Sequence, residues 1–466
     1  MGQRKNRAYQ MILFVPFGNH ALSLLPMNRK TRLYVLLLLS FAGLFPAKAQ
    51  AQPHLVGYLK NWQSAGTPFL TLGQADDRYD YLVMAFALPV NGTDYQMDFT
   101  PSGMSSQEFL DQVHAAQDAG KKVLLSVGGA TVPISLNDTT ERNIFAASLA
   151  DILYEYEFDG LDIDLESASL TLSGGTISNP VDQPVILLTQ ALQTIMEEYR
   201  YAMGQKMILT FAPETAYVQG GQSAYNGVWG AYLPLIHALR DSIDLLQVQL
   251  YNSGSMYGID GGIYEQGTPD FVISQTEAVI QGFFTAGGVF QGLPANKIAV
   301  GLPACEDAAG GGYLPPEELK NAMFYLTGQG PQPGAYTLLQ AGGYPDLGGM
   351  MCWSINWDAL ESCNGAYSYA QVFEDVFETV IATGESETPA QCYRIWPNPA
   401  GEVLHIRRCT EAGEELTYLL LFDLLGRPVA DGYLAGQETE ISLKDLTPGM
   451  YILSIGNEPF RLIHTR

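Results

Sequence analysis

The sequence predicts an α/β protein, a (β/α)8 TIM barrel followed by a small C-terminal β-sandwich. Three observations carry this. Short apolar, β-rich runs recur eight times, at Leu55–Leu59, Tyr81–Ala87, Lys122–Val127, Gly160–Leu165, Met207–Phe211, Leu245–Tyr251, Lys297–Leu302 and Gly349–Ser354. Longer stretches with helical spacing fall between them, such as Ser106–Ala119, Glu141–Tyr156 and Val185–Tyr201. Strands alternating with helices point to a parallel sheet, and eight such units to a barrel rather than a doubly wound sheet. The third observation is a change of character beyond Val380. Thr383–Ala390 is small, polar and acidic, as a linker is, and the chain after it holds only short alternating runs.

The elements follow in chain order. Residues 1–52 contain no Asp or Glu and seven basic residues. Met27–Arg32 forms a basic stretch, Leu33–Phe45 an apolar run too short to span a bilayer comfortably, and Ala47-Lys48-Ala49 a small-x-small cleavage pattern. This order is that of an export signal, with Met27 a second candidate start and the mature chain beginning near Gln50. No later segment is apolar enough for a transmembrane helix.

The barrel is expected over 53–382, the linker over 383–391 and the sandwich over 392–466. The sandwich strands are read at Leu404–Arg407, Tyr418–Asp423, Glu440–Leu443 and Tyr451–Ile455. Turn signals separate them at Gly426-Arg427-Pro428 and Thr447-Pro448-Gly449.

Composition narrows the function. With 49 acidic and 24 basic residues in 466, the net charge is −25, which argues against nucleic acid as a partner. A hydrophobic share of 47% against 16% charged is enough to bury a large core. The five cysteines, Cys305, Cys352, Cys363, Cys392 and Cys409, are free to form disulfides after export, but an odd count leaves one thiol over in a monomer. No CxxC or Cys/His cluster suggests a metal centre, and no cofactor is expected.

The most informative stretch is Phe158-Asp159-Gly160-Leu161-Asp162-Ile163-Asp164-Leu165-Glu166. Alternate residues of a strand point to opposite faces, so Asp162, Asp164 and Glu166 share one face and Leu161, Ile163 and Leu165 the other. The apolar face suits packing under helices. The acidic face points into the barrel, where branched apolar residues are usual. Carboxylates this close and buried couple their titrations, which can keep the outermost one protonated near neutrality, as a general acid needs. Glu166, nearest the C-terminal end of the strand, is the candidate acid. A structural acidic face and a divalent-cation site are the other readings. Active sites of such barrels lie at the C-terminal ends of the strands, which favours catalysis.

At these residues the chain resembles glycoside hydrolase family 18. Asp159, Asp162, Asp164 and Glu166 match its DxxDxDxE signature, and Ser126-Val127-Gly128-Gly129 its SxGG. Gly57-Tyr58, Ala85-Phe86, Ala212-Pro213-Glu214, Gln247–Asn252, Gly301–Ala304 with Gly312–Pro316, and Met351–Ser354 resemble its motifs on strands one, two, five, six, seven and eight. The resemblance covers most of residues 54–380. Its seventh-strand region is similar to plant class III and bacterial chitinases.

The resemblance implies hydrolysis of β-1,4-linked N-acetylglucosamine with retention, by a substrate-assisted route that departs from the two-carboxylate scheme. It implies Glu166 as acid and then base, Asp164 holding the acetamido nitrogen, Asp162 sharing a proton with Asp164, and Tyr251 hydrogen-bonding the acetamido group. Trp353 would floor the sugar, with Tyr58 and Phe86 as pocket walls. Gln249 and Asn252 would bind sugar hydroxyls or satisfy neighbouring backbone. Asp159, Ser126, Gly128 and Gly129 would support the site. Chitin or N-acetylglucosamine oligosaccharides are the implied partners. An endo-β-N-acetylglucosaminidase acting on N-glycans shares this machinery, and a non-catalytic chitin-binding lectin shares the barrel but typically lacks the acid.

The C-terminal stretch Tyr393–Pro399, with Leu421–Arg427 and Pro448–Tyr451, resembles type IX secretion sorting domains. That resemblance implies the type IX secretion machinery as a partner, export across a Gram-negative outer membrane, and a secreted or surface-attached product. A carbohydrate-binding sandwich is the alternative.

Overall fold

The structure, a computed structural model, describes residues 52–383 apart from 91, 92 and 94, and most of 393–464. The leader motifs through Ala51, linker residues 384–391, Cys392, Cys409 and parts of the C-terminal motifs, among them residues 397–399 and 423–427, lie outside the described residues.

Eight strands form the barrel path of the first sheet, to which the short Met97–Asp98 segment adds an antiparallel pairing: β1 (His54–Lys60), β2 (Tyr81–Pro89), β3 (Lys122–Gly129), β4 (Gly160–Leu165), β5 (Ile208–Phe211), β6 (Leu245–Leu246), β7 (Ala299–Pro303) and β8 (Gly349–Trp353). They are parallel, in the order β7-β8-β1-β2-β3-β4-β5-β6. Single parallel bridges, Leu246 to Ile298 and Gln249 to Gly301, bring the two ends of this order together. The result is the expected barrel.

One strand is shorter than its apolar run. Leu245–Tyr251 reads as seven strand residues, yet only Leu245 and Leu246 form a ladder. Beyond them β5 has run into Ala212-Pro213, and contact continues as isolated bonds, Gln247 N to Phe211 O at 2.8 Å and Gln249 N to Pro213 O at 2.9 Å.

Helices cover the barrel. They are α1 (Ser106–Asp118), α2 (Thr139–Glu155), α3 (Gln183–Met203), α4 (Leu233–Leu239), α5 (Pro269–Gln281), α6 (Pro316–Leu326) and α7 (Ser368–Thr383). Their starts are written in the sequence. Ser105 and Glu108 form a capping box ahead of α1, Asp138 accepts the Thr140 and Glu141 amides at α2, and Thr268 caps α5 just before Pro269.

The alternation of β4 divides the core in two. Leu161, Ile163 and Leu165 join the large outer layer with Phe145 and Leu149 of α2 and Leu188 and Leu192 of α3. The interior of the barrel holds a smaller cluster, including Val56, Tyr58, Val83, Leu124, Leu245 and Met351. Polar residues occupy the rest of that interior, and strand register sets them in rows. Ser126 pairs with Asp162 across β3 and β4, and Asp162 with Thr210 across β4 and β5.

Beyond the linker lie β9 (Tyr393–Trp396), β10 (Val403–Arg408), β11 (Thr417–Phe422), β12 (Pro428–Leu434), β13 (Glu438–Ser442), β14 (Gly449–Ile455) and β15 (Glu458–His464). They form two antiparallel sheets, β9-β10-β13 and β12-β11-β14-β15. Leu404 and Ile406 of one sheet share a hydrophobic cluster with Leu419, Leu453 and Leu462 of the other. Among the described residues no helix is long and apolar enough to cross a membrane.

Candidate active site

β4 delivers three carboxyl groups in sequence toward its C-terminal end, and each meets a different environment. Asp162 lies deepest and is fully buried. Its Oδ2 accepts from Tyr58 at 2.6 Å and Ser126 at 2.7 Å, and its Oδ1 from Thr210 at 2.5 Å and Gln247 Nε2 at 3.1 Å. Burial pushes its pKa up, and the four donors oppose that shift without cancelling it.

Asp164, also buried, accepts from Gln249 Nε2 at 2.7 Å. Its pKa stands well above the ordinary carboxyl range, first from burial and then from the charges of Glu166 and Asp162. Burial and these charges favour the protonated form of Asp164, which is in hydrogen-bond contact with Glu166. Glu166 lies just past the strand and is partly open. Its pKa is also raised by burial, against the pull of Gln249 and Asp164.

Gln249 ties the upper two acids together. Its Nε2 lies 2.7 Å from Asp164, 3.1 Å from Glu166 and 2.9 Å from the Ala212 carbonyl. Of the two readings open for this residue, the structure gives it protein partners. Asn252 has one as well, since its Oδ1 accepts the Gly310 amide at 2.8 Å and holds the segment after β7. Tyr251 is buried, and its hydroxyl makes no hydrogen bond among the described residues. Burial and the charges of Asp164 and Glu166 push its pKa well up.

Tyr58 is buried and donates to Asp162, with its ring edge-on to Trp353 at 5.7 Å. Phe86 and Trp353 stack at 15° with centroids 5.9 Å apart, each beside a cis peptide bond, Ala85-Phe86 and Trp353-Ser354. Trp62, unread in the sequence, extends this surface by lying 25° from the Phe86 plane at 6.1 Å. It stands just past β1, and only the fold brings it to the other rings.

The supporting residues are placed as their types suggest. Gly128 has φ +119°, and a Cβ there would fall 2.2 Å from the Asp164 carbonyl oxygen. Gly129, at φ +80°, leaves the room that the Phe86 ring fills. Asp159 lies at the opposite end of β4. It accepts from the Val123 amide at 2.9 Å, Lys122 Nζ at 2.9 Å and Gln117 Nε2 at 3.1 Å, which pins β4 to β3 and α1.

Sequence reasoning assigned no role to Thr210, Gln247 or Glu214. The signal for Thr210 was its position across from Asp162, which only register reveals. Glu214 stands half-buried beside the site, and burial and the Glu166 charge push its pKa up to about 7.

The arrangement sets three carboxyl groups in a row beside an aromatic surface. The family described as glycosyl hydrolases family 18 matches residues 54–327, and the secretion system C-terminal sorting domain matches 394–464. The chain is 44% identical over 310 residues to Chitinase Chi52 of Paenibacillus xylanexedens, covering 66% of this chain and 58% of that protein. It is 43% identical over 311 residues to Chitinase D of Niallia circulans, with the same coverage. The chain thus spans 58% of the length of either relative. A crystal structure of a family GH18 chitinase from Chromobacterium violaceum aligns with TM-score 0.62 at 34% identity, covering 70% of this chain and 83% of that one.

Proposed function

Because this chain belongs to glycosyl hydrolase family 18, we propose that it is a secreted chitinase, cleaving β-1,4 linkages between N-acetylglucosamine units with retention. The observation that carries the reading is the grouping of Asp164 and Glu166 about the Gln249 amide at the mouth of β4, where burial raises the pKa of both acids.

Glu166 takes up the proton favoured on Asp164 and gives it to the glycosidic oxygen as the bond from that oxygen to the anomeric carbon breaks, which leaves Asp164 ionised. The acetamido oxygen of the same sugar attacks the anomeric carbon from the opposite face. Asp164 accepts a hydrogen bond from the acetamido N–H and balances the positive charge of the oxazolinium ring. Asp162, with four donors of its own, holds Asp164 in place and shares its proton. The Tyr251 hydroxyl, without a hydrogen bond among the described residues, hydrogen-bonds the acetamido group. Glu166 then takes a proton from water, which opens the ring on the original face. Trp353 and Phe86 form the floor on which the sugar is held in a bent geometry.

The match of residues 394–464 to a secretion sorting domain sends the product out of the cell or to its surface, with the type IX machinery as partner. The proposed domain limits are a catalytic barrel over 53–382 and a sorting domain over 392–466.

Incubation of purified protein with chitin oligosaccharides and with an N-glycan, products resolved by mass, tests the function. Release of N-acetylglucosamine oligomers is expected. Cleavage of the N-glycan alone would move the substrate to glycoproteins, and cleavage of neither would defeat the enzyme reading. Glu166→Gln should bind oligomer and not turn it over.

A further inference from the structure

The acid leaves β4 through backbone that β5 no longer supports. On the β3 side the ladder runs as far as Gly129 and Leu165. On the β5 side it ends at Ile163 and Phe211, with Ala212 N to Ile163 O at 3.0 Å as the last bond. The Ala212 carbonyl is occupied by Gln249 rather than by β4. Leu165 therefore has no partner on the β5 side, one residue before Glu166.

A tyrosine takes that place. The Tyr232 hydroxyl accepts from the Leu165 amide at 2.8 Å and donates to the Leu165 carbonyl at 3.0 Å. One side chain satisfies both ladder groups of a buried residue, which would otherwise stand unpaired.

The backbone after the acid is also fixed from outside. Ser167 and Ala168 both have positive φ, 52° and 61°, a conformation that residues with a Cβ adopt only when held there. The Ala168 amide donates to the Tyr217 hydroxyl at 2.8 Å, and Ser167 Oγ donates to the Ala130 carbonyl at 2.6 Å. Tyr217 and Tyr232 support each other, with a backbone bond from Tyr232 N to Tyr217 O at 3.1 Å and rings edge-on at 5.5 Å. Both are buried.

We propose that Tyr232 and Tyr217 are positioning residues for Glu166, their hydroxyls clamping the backbone on either side of the acid where the barrel's own ladder has opened. The parting of β4 from β5 makes room for Gln249, and the tyrosines restore the rigidity it removes. The inference rests on the reading of Glu166 as the acid. A small displacement of such a group costs rate steeply while leaving distant sugar contacts intact.

The test compares wild type, Tyr232→Phe, Tyr217→Phe, their double variant and Glu166→Gln on a chitin oligosaccharide, with pH profiles and thermal midpoints. For each single tyrosine variant kcat should fall about tenfold or more with KM within about twofold. The alkaline limb of kcat/KM should move to lower pH as water reaches Glu166. The double variant should lose less than the product of the two single losses, because the clamp acts as a unit. Tyrosine variants with wild-type kcat and an unmoved limb would overturn the positioning role, even with a lowered thermal midpoint, provided Glu166→Gln is inactive. A wild type without turnover, or an active Glu166→Gln, would instead overturn the functional reading and this inference with it. If Tyr232→Phe does not fold, Tyr217→Phe, with one hydrogen bond at stake, decides the question alone.

Discussion

Tyr58 donates its phenolic hydrogen to Asp162 across 2.6 Å and so joins β1 to β4 through the barrel interior. The two residues lie 104 positions apart in the chain, and both are buried. Tyr58→Phe keeps the ring against Trp353 and deletes this bond together with the longer one that the hydroxyl accepts from Gln247 Nε2 at 3.4 Å. Stability should fall by about 1–3 kcal/mol, the cost of leaving a buried carboxyl short of a donor. Denaturant unfolding measures it, and kcat should fall with it because Asp162, whose charge acts on Asp164, has lost a donor. An unchanged midpoint would show that Ser126 and Thr210 suffice.

Glu214 sets a pH dependence of stability. In the folded protein burial and Glu166 hold its pKa at about 7, against an ordinary 4.5 in the unfolded chain. Between these values the unfolded state has released a proton that the folded state retains. Stability from this group is therefore fully present below about pH 4.5 and is lost as pH rises through about 7. Glu214→Gln should flatten that decline and raise the thermal midpoint at pH 8, while leaving it unmoved at pH 4. Parallel curves for variant and wild type would count against it.

The disulfide between Cys305 and Cys363 closes a separation of 58 residues, linking the segment after β7 to the one ahead of α7. Replacing both cysteines by serine should cost about 2–4 kcal/mol, most of it through the freed unfolded chain. The barrel thiol Cys352 is buried beside the Tyr79 hydroxyl at 3.1 Å, and burial pushes its pKa well up. It should stay unreactive toward a thiol reagent in the native protein. Peptide mapping after labelling checks this directly.

Trp353→Ala should lower kcat/KM on chitin oligosaccharides by about 10–100-fold, the worth of one lost aromatic contact. Phe86→Ala removes a neighbouring plane of the same surface and should lose less. Equal activity in Trp353→Ala would reduce Trp353 to a packing partner of Tyr58.

Removal of residues 392–466 should leave barrel activity intact and abolish release from the cell. Comparing activity in culture medium and in cell extract separates this from a sugar-binding role, in which release would persist and chitin adsorption would fall.

The parts of this molecule that were legible in the sequence are those set by short-range pattern. The eight barrel strands appear as apolar runs, and Ser106–Asp118, Thr139–Glu155 and Gln183–Met203 as helices, because spacing and caps are local. The acids of β4 were legible because alternation alone places them on one face. The partners of Asp162 were not. Tyr58, Thr210 and Gln247 come from three other strands, and each looks like ordinary strand filling until the barrel closes. Glu214 was quoted within a motif, but its titration depends on proximity to Glu166. In the C-terminal module β12 was missed because Asp431 and Gly432 interrupt its pattern, and β15 because Pro459 stands near its start.

The seam beside β6 has a consequence for how the protein fails on warming. Its ladder is two residues long, and contact with the β7 side rests on isolated bridges, one of them made by Gln249. Local opening there requires breaking fewer backbone bonds than opening between β2 and β3, so amides of residues 247–250 should exchange with solvent by a lower-energy fluctuation than the core. Each such opening would carry Gln249 away from Asp164 and Glu166. Catalytic competence should therefore fade reversibly several degrees below the global melting transition, with the rest of the barrel still folded.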